Sequence, residues 1–366
     1  MAHLVSAKET CCLGDVTTLK SRLKAMIRAD GPMPVSAYMN TCLHDPKHGY
    51  YATRPGLGTD FITAPEISQV FGELLGLWSA HEWQTMGAPN AINLIELGPG
   101  RGTLMADALR ASQSVPGFHD AVSLNLVEAS PALQAQQTSQ LAAYNPSFTS
   151  DLGPIPTGHT LILANEYLDC LPARQFVQDG GDWRERVVGL DANDEITFGL
   201  ATDRAPQEIA SASGAAVEFQ PGLEMIIDQL KHRAEAGDVF RALLIDYGPI
   251  DTAPTDTLRA YKAGEQVHPL AAPGESDLTV DVDFVRLKRL AETAGLTVHG
   301  PVQQSQFLLS LGAEARLNAL TKAQPEQAEA LLTGVRKLVD PNEMGTRFKA
   351  ICISSNGLPT PAGFAA

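Results

Sequence analysis

At 366 residues, 44% of them hydrophobic, the chain can bury a large core but is too short for three domains, so one large α/β domain with added elements is expected. A formal net charge of −15 argues against a nucleic-acid partner and suits a cationic one such as an arginine- or lysine-bearing protein, although ordinary acidic bacterial proteins share it. Five cysteines without a CxxC pair, and histidines without ligand spacing, argue against a disulfide framework or a zinc site, so no metal is expected.

In chain order, residues 1–16 read as a frayed end. They fit neither a signal nor a transit peptide, and no apolar run reaches the ~20 residues of a membrane span, so a bacterial cytoplasmic protein without a membrane segment is expected. Leu19, Leu23, Met26 and Ile27 mark a helix that Gly31-Pro32 stops, and Val35, Tyr38, Met39 and Cys42 mark a second. Pro and Gly recur through 44–65, which reads as a long ordered loop or lid. A helix follows with Val70, Phe71, Leu74, Leu75 and Trp78 on one side; Gly72 and Gly76, one turn apart, would let another helix approach closely. From Ala91 the pattern changes to short apolar runs, 92–97, 122–127, 160–164 and 241–246, which read as buried parallel strands. Residues 175–200 alternate around turns at 179–182 and 191–194, as an inserted antiparallel hairpin or meander would. Helices are expected over 223–231 and 282–294, and final strands over 298–302 and 348–353. The division is an N-terminal helical lid region (1–90), a Rossmann-like core (91–174 and 236–356), an inserted hairpin plus helix (175–235) and a disordered tail (357–366).

The stretch Leu94-Ile95-Glu96-Leu97-Gly98-Pro99-Gly100-Arg101-Gly102-Thr103-Leu104 is a buried strand ending in a glycine turn that opens a helix. Gly98 and Gly100 permit positive φ and close approach of a ligand. Glu128 ends the next strand, where it can accept hydrogen bonds from a ribose diol. Dinucleotide sites share this layout, but three details favour S-adenosylmethionine. Thr103 replaces the third fingerprint glycine, Glu96 would repel a pyrophosphate yet suits an ammonium or sulfonium, and Glu128 lies further downstream than usual. The expected cofactor-binding set is Glu96, Gly98, Pro99, Gly100, Gly102, Thr103, Glu128 and Asn165.

Asn165-Glu166-Tyr167-Leu168-Asp169-Cys170-Leu171-Pro172 follows the 160–164 strand and faces the same crevice. A carboxylate fork there can grip a guanidinium, with Glu166 as the gripping acid and Asp169 assisting. The structural alternative is that Asp169 caps a helix and Glu166 bonds backbone.

These motifs, together with Asp60–Glu73, Ile245-Asp246-Tyr247-Gly248, Thr257–Tyr261, Pro273-Gly274, Asp277-Leu278-Thr279 and Asp283-Phe284, closely resemble the MidA family from about Leu19 to Ser354. The resemblance implies a class I methyltransferase fold (a mostly parallel, doubly wound α/β sheet), S-adenosylmethionine as donor and protein arginine as acceptor. Its mitochondrial member is an arginine methyltransferase needed for complex I assembly, which makes an arginine of a complex I core subunit the expected target. A homodimer is a further expectation. By the same resemblance, 48–69 should fold over the site, making Tyr50, Thr63, Pro65, Ser68 and Gln69 lid or substrate candidates and Glu66 a second catalytic carboxylate. Helix capping is the alternative for Ser68 and Gln69. His268 and Asp281 stand where the pattern has an acid and a His, so an exchanged pair is expected if they meet. The competing readings are a methyltransferase on a small molecule, a non-catalytic assembly factor and an NAD-dependent dehydrogenase.

Overall fold

The computed structural model describes residues 18–53, 62–206, 209 and 214–365. Seven strands form the central sheet in the order Thr297–Gln303, Phe348–Ser354, Val239–Tyr247, His159–Asn165, Ile92–Leu97, Val122–Val127 and Ser147–Thr149. Phe348–Ser354 runs antiparallel to both of its neighbours, and the pairings from Val239–Tyr247 through Ser147–Thr149 are parallel. The strands read as near-continuous apolar runs because helices cover both faces. Leu94, Leu124, Leu161 and Leu243 face one core with helices Gln69–Thr85 and Thr103–Ser112; Ile95, Ile162, Ala242 and Leu244 face the other with Pro221–Glu235 and Phe284–Thr293.

Helix Leu19–Asp30 starts at Thr18, whose hydroxyl accepts the Ser21 amide at 3.2 Å, and ends at Gly31 with φ +88°. It packs with Val35–His44 over a third core. The expected hairpin is part of a larger five-stranded sheet, because Arg174–Asp179, Asp182–Leu190 and Ile196–Arg204 are joined by Ala216–Phe219 and by the two-residue strand Met33–Pro34. A three-stranded sheet of Arg259–Lys262, Glu265–Val267 and Asp277–Thr279 has no counterpart in the sequence reading, since its strands are too short to carry an alternation. The 44–65 segment holds the short helix Tyr50–Thr53 and the start of another, Ala64–Ile67, while its 54–61 portion lies outside the described residues, as does the expected frayed end up to residue 17.

The disordered tail expected after Gly357 is corrected by the structure. The Trp78 indole donates to the Ala362 carbonyl at 3.0 Å, the Ala362 amide donates to Glu82 at 2.9 Å, and Phe364 packs on Phe307. Composition hid this, since Pro and Gly here shape a docked strap rather than a free end.

Candidate active site

The strand order reverses direction between Ile92–Leu97 and His159–Asn165, and open α/β sheets hold their ligands outside the carboxyl ends of the strands at such a point. A cavity of about 420 Å³ opens there, a size typical of small-molecule sites. Gly98, Pro99, Gly100 and Thr103 line it, with Glu96, Glu128, Asn165, Glu166 and Asp169 from the strand ends and Tyr50, Thr63, Pro65 and Glu66 from the lid segment.

The glycine turn takes positive φ at Gly98 (62°) and Gly100 (53°). A Cβ on Gly98 would come within 2.8 Å of the Tyr167 ring, so this position requires glycine for packing as well as for backbone conformation. Gly102 lies outside the cavity lining: its left-handed backbone opens helix Thr103–Ser112, and its Cα side faces Gln137 and Leu141. Its expected cofactor contact is therefore corrected to a turn-forming one.

Glu96 is 3% exposed and its Oε2 has no hydrogen-bond partner among the described residues. Burial, and then the charge of Glu128, push its carboxyl up to about 8. Glu128 accepts from the Ser130 amide at 2.8 Å and from Gln137 Nε2 at 3.3 Å, and burial raises it as well. Gln137 also donates to the Gly100 carbonyl at 2.6 Å, tying this acid to the glycine turn.

Glu166 sits at φ +50°, an unusual conformation for a residue other than glycine. Its Oε1 accepts from the Ala64 amide and from Asn165 Nδ2, both at 3.0 Å, while its Oε2 and Asn165 Oδ1 are buried without partners among the described residues. Burial pushes the Glu166 carboxyl up to about 8, against the lowering effect of the Ala64 amide. Asp169 is also raised by burial; its Oδ2 accepts from the Tyr247 hydroxyl at 2.6 Å. Glu166 bonds backbone through one oxygen, as the structural alternative has it, and Asp169 accepts from the Tyr247 side chain and from adjacent backbone amides.

Glu66 accepts from the Thr103 hydroxyl at 2.5 Å and lies 3.7 Å from Arg101 Nη1. It is thus tied to the glycine turn, two residues from the Ala64 amide that bonds Glu166. Ser68 and Gln69 are corrected: neither lines the cavity. Ser68 caps helix Gln69–Thr85 by accepting the Val70 amide at 3.4 Å, and Gln69 reaches Glu73 at 3.4 Å, because a helix start buried against neighbours must satisfy its own amides. His268 and Asp281 do not pair: Asp281 accepts from Arg259 at 2.7 Å, and His268 Nδ1 accepts the Leu270 amide at 3.2 Å.

Several cavity residues went unassigned at the sequence level, namely His44, Tyr51, Arg101, Tyr167, Cys170 and Asp277. Asp246 works one layer behind them, accepting the Leu168 amide at 2.8 Å and the Asp169 amide at 3.1 Å. An acid directly after the apolar run Ala242-Leu243-Leu244-Ile245 was its available signal.

The unpartnered Glu96 Oε2, the glycine cradle and the Glu128 carboxylate fit a ligand that carries an ammonium and a ribose, and they would repel a pyrophosphate. Fold and cavity together therefore define a class I methyltransferase. The chain belongs to the MidA-like family of S-adenosylmethionine-dependent methyltransferases: the family model described as "Putative S-adenosyl-L-methionine-dependent methyltransferase" matches residues 74–302. It is 38% identical to the mitochondrial protein arginine methyltransferase NDUFAF7 homolog of Drosophila melanogaster, over 92% of this chain and 84% of that one. It is 37% identical to the Homo sapiens protein arginine methyltransferase NDUFAF7, over 91% and 82%. A Burkholderia thailandensis protein solved with bound S-adenosyl-homocysteine superposes with a TM-score of 0.80 at 25% identity, covering 94% of this chain and 93% of that one. S-adenosylmethionine is the cofactor, so the dehydrogenase reading falls. The expected bacterial cytoplasmic location is corrected: the curated relatives named above are mitochondrial proteins. Among the described residues no helix is long and apolar enough to cross a membrane.

Proposed function

We propose that this methyltransferase acts on an arginine side chain of a protein, and that the protein is a core subunit of respiratory complex I. The relatives named as protein arginine methyltransferases support the acceptor class, and the MidA resemblance supports the complex I target. The observation that carries the reading is the unpartnered Glu166 Oε2 in a cavity that also holds Asp169.

A guanidinium stays protonated, with a pKa above ~12. Bringing it to a sulfonium opposes two cations, which repel by about 4 kcal/mol at ~4 Å and an effective dielectric of ~20. Carboxylates at the acceptor offset that repulsion. Bound, the cofactor supplies an electrophilic methyl group. Glu96 and Glu128 are proposed to hold its amino-acid and ribose ends, with the glycine turn of Gly98 and Gly100 close against it. Glu166, fixed through Oε1 by Ala64, is proposed to orient the guanidinium through Oε2, which is a positioning task worth orders of magnitude in rate. The nitrogen that gains the methyl gives up a proton. Asp169, raised by burial and steadied by Tyr247, is proposed to take it.

The test is incubation with tritiated S-adenosylmethionine and a lysate of cells lacking this gene. One labelled band of complex I subunit size, yielding dimethylarginine on hydrolysis, is the expected result. Label confined to small molecules would replace the acceptor class. No label at all, with cofactor binding intact, would favour a non-catalytic assembly factor. The homodimer belongs to the same proposal and is read by light scattering.

A further inference from the structure

Asn165 and Glu166 are consecutive, and on a regular strand their side chains would point to opposite faces of the sheet. The strand ends between them instead. Asn165 still pairs with Ile245, the Glu166 amide donates to the Ile245 carbonyl at 2.9 Å, and Glu166 then turns to φ +50°. That conformation is unfavourable for a residue with a Cβ, so the surrounding fold holds it in place. Its result is that both residues line the cavity, side by side, with Asn165 Nδ2 donating to Glu166 Oε1 at 3.0 Å.

The direction of the Asn165 side-chain amide follows from its partner. Glu166 Oε1 also accepts the Ala64 amide, so Asn165 turns its NH2 toward that oxygen and its Oδ1 away from it. Asn165 Oδ1, like Glu166 Oε2, is then buried with no partner among the described residues. Two acceptor oxygens, one hydrogen bond apart, therefore stand without donors, a costly arrangement unless a ligand supplies them. The two differ in kind: the carboxylate brings charge, and the amide adds an acceptor without a second negative charge to desolvate.

We propose that Asn165 binds the acceptor rather than the cofactor, its Oδ1 and Glu166 Oε2 forming a two-oxygen fork that takes two N–H donors of one guanidinium. This rests on the arginine reading above. A guanidinium holds five N–H donors in fixed directions in one plane, so two acceptors set that plane as well as the position of the group. A ureido group of the same shape puts a carbonyl oxygen in place of one NH2 and brings no charge to Glu166.

The test is calorimetric binding of acetyl-Gly-Arg-Gly-amide and its citrulline counterpart to protein saturated with S-adenosyl-homocysteine, in wild type, Asn165→Ala and Asn165→Asp. Asn165→Asp keeps an oxygen at the Oδ1 position and removes the Nδ2 donor, whereas Asn165→Ala removes both. Wild type is expected to prefer arginine by about 30-fold, and Asn165→Ala to bind the arginine peptide about 10-fold more weakly. Asn165→Asp should stay within about threefold of wild type for that peptide, and both variants within about twofold for S-adenosyl-homocysteine. Equal losses in the two variants would reduce Asn165 to steadying Glu166 through Nδ2 and overturn the fork. Unchanged peptide binding in Asn165→Ala also overturns it, and a fall in S-adenosyl-homocysteine affinity alongside would return the residue to the cofactor. Absence of any arginine preference in wild type overturns the arginine reading, and the fork with it. Should Asn165→Ala fail to fold by circular dichroism, Asn165→Ser takes its place with the same expected loss, since its hydroxyl stops one bond short of Oδ1.

Discussion

Glu96 and Glu166 are carboxyls of ordinary value 4.5 that burial holds near 8. The folded chain therefore binds their protons more tightly than the unfolded chain does. The sign of the linkage follows: their contribution to stability is complete below pH 4.5 and is lost as pH rises toward 8. A cationic ligand reverses the balance, because the charged carboxylate is the form it needs. Cofactor affinity should accordingly rise from pH 6 to 8, with proton release detectable as a buffer-dependent calorimetric enthalpy. An affinity independent of pH over that range would show that Glu96 does not meet the cofactor's positive group. Glu166→Gln separates the two acids. The amide keeps an oxygen for the Ala64 N–H, so the fold and cofactor binding should hold within about twofold while methyl transfer drops by about 100-fold or more. Turnover at the wild-type rate would place the guanidinium grip elsewhere. What was legible at this scale follows from chain locality. Glu96, Gly98 and Gly100 share one turn, and Glu128 and Glu166 each follow a strand whose carboxyl end must face the crevice. Asp277 and Tyr51 reach the same cavity from distant short elements, where no spacing announces them.

Two glycines, one turn apart, set the contact between helices Gln69–Thr85 and Thr103–Ser112, and here the sequence reading of close approach matches the structure. A Cβ at Gly76 would lie 2.1 Å from the Ala108 carbonyl oxygen, and one at Gly72 would lie 2.7 Å from Asp107 Cβ. Nothing flexible stands in the way at Gly76, only helix backbone, so the helices themselves must part. Gly76→Ala should cost about 2–3 kcal/mol, read as a lower urea midpoint with little change in slope. The effect should also reach the site, since Thr103–Ser112 begins directly after the glycine turn and Thr103 bonds Glu66 of the lid segment. A several-fold loss of cofactor affinity is the expected companion. Unchanged stability would mean that the helix pair tolerates a wider spacing. The same element scale explains the misread lid end. Ser68 and Gln69 belong to a motif specific to the family, but the start of a buried helix needs a cap, and that local demand decides where Ser68 points.

Across the whole molecule, binding and anchoring occupy opposite ends of one strand. Val239–Tyr247 carries Tyr247 at its carboxyl end, where the hydroxyl reaches Asp169, and Arg241 near its amino end. At ~3.3 Å per residue the two lie about 20 Å apart. Arg241 and Glu82 form an ion pair at 2.8 Å with both side chains fully buried. Each hydrogen bond lost from such a pair is costly, because the buried charges cannot reach water, and among the described residues Arg241 Nη1 already lacks a partner. The tail supplies two of the pair's partners, the Pro359 carbonyl at 2.6 Å from Arg241 Nη2 and the Ala362 amide at 2.9 Å from Glu82 Oε1. Composition suggested a disordered end here because neither buried partner is near the tail in sequence. Ending the chain after Leu358 would leave both charges short of a hydrogen bond and uncover Phe307, which Phe364 now meets at a centroid distance of 5.3 Å. The expected cost is about 3 kcal/mol, with Tm lower by about 5 °C. Because the strap lies at the far end of the strand, cofactor affinity measured well below the transition should stay within about twofold of the full chain. Loss of binding without loss of Tm would reverse this division of labour and tie the tail to the crevice.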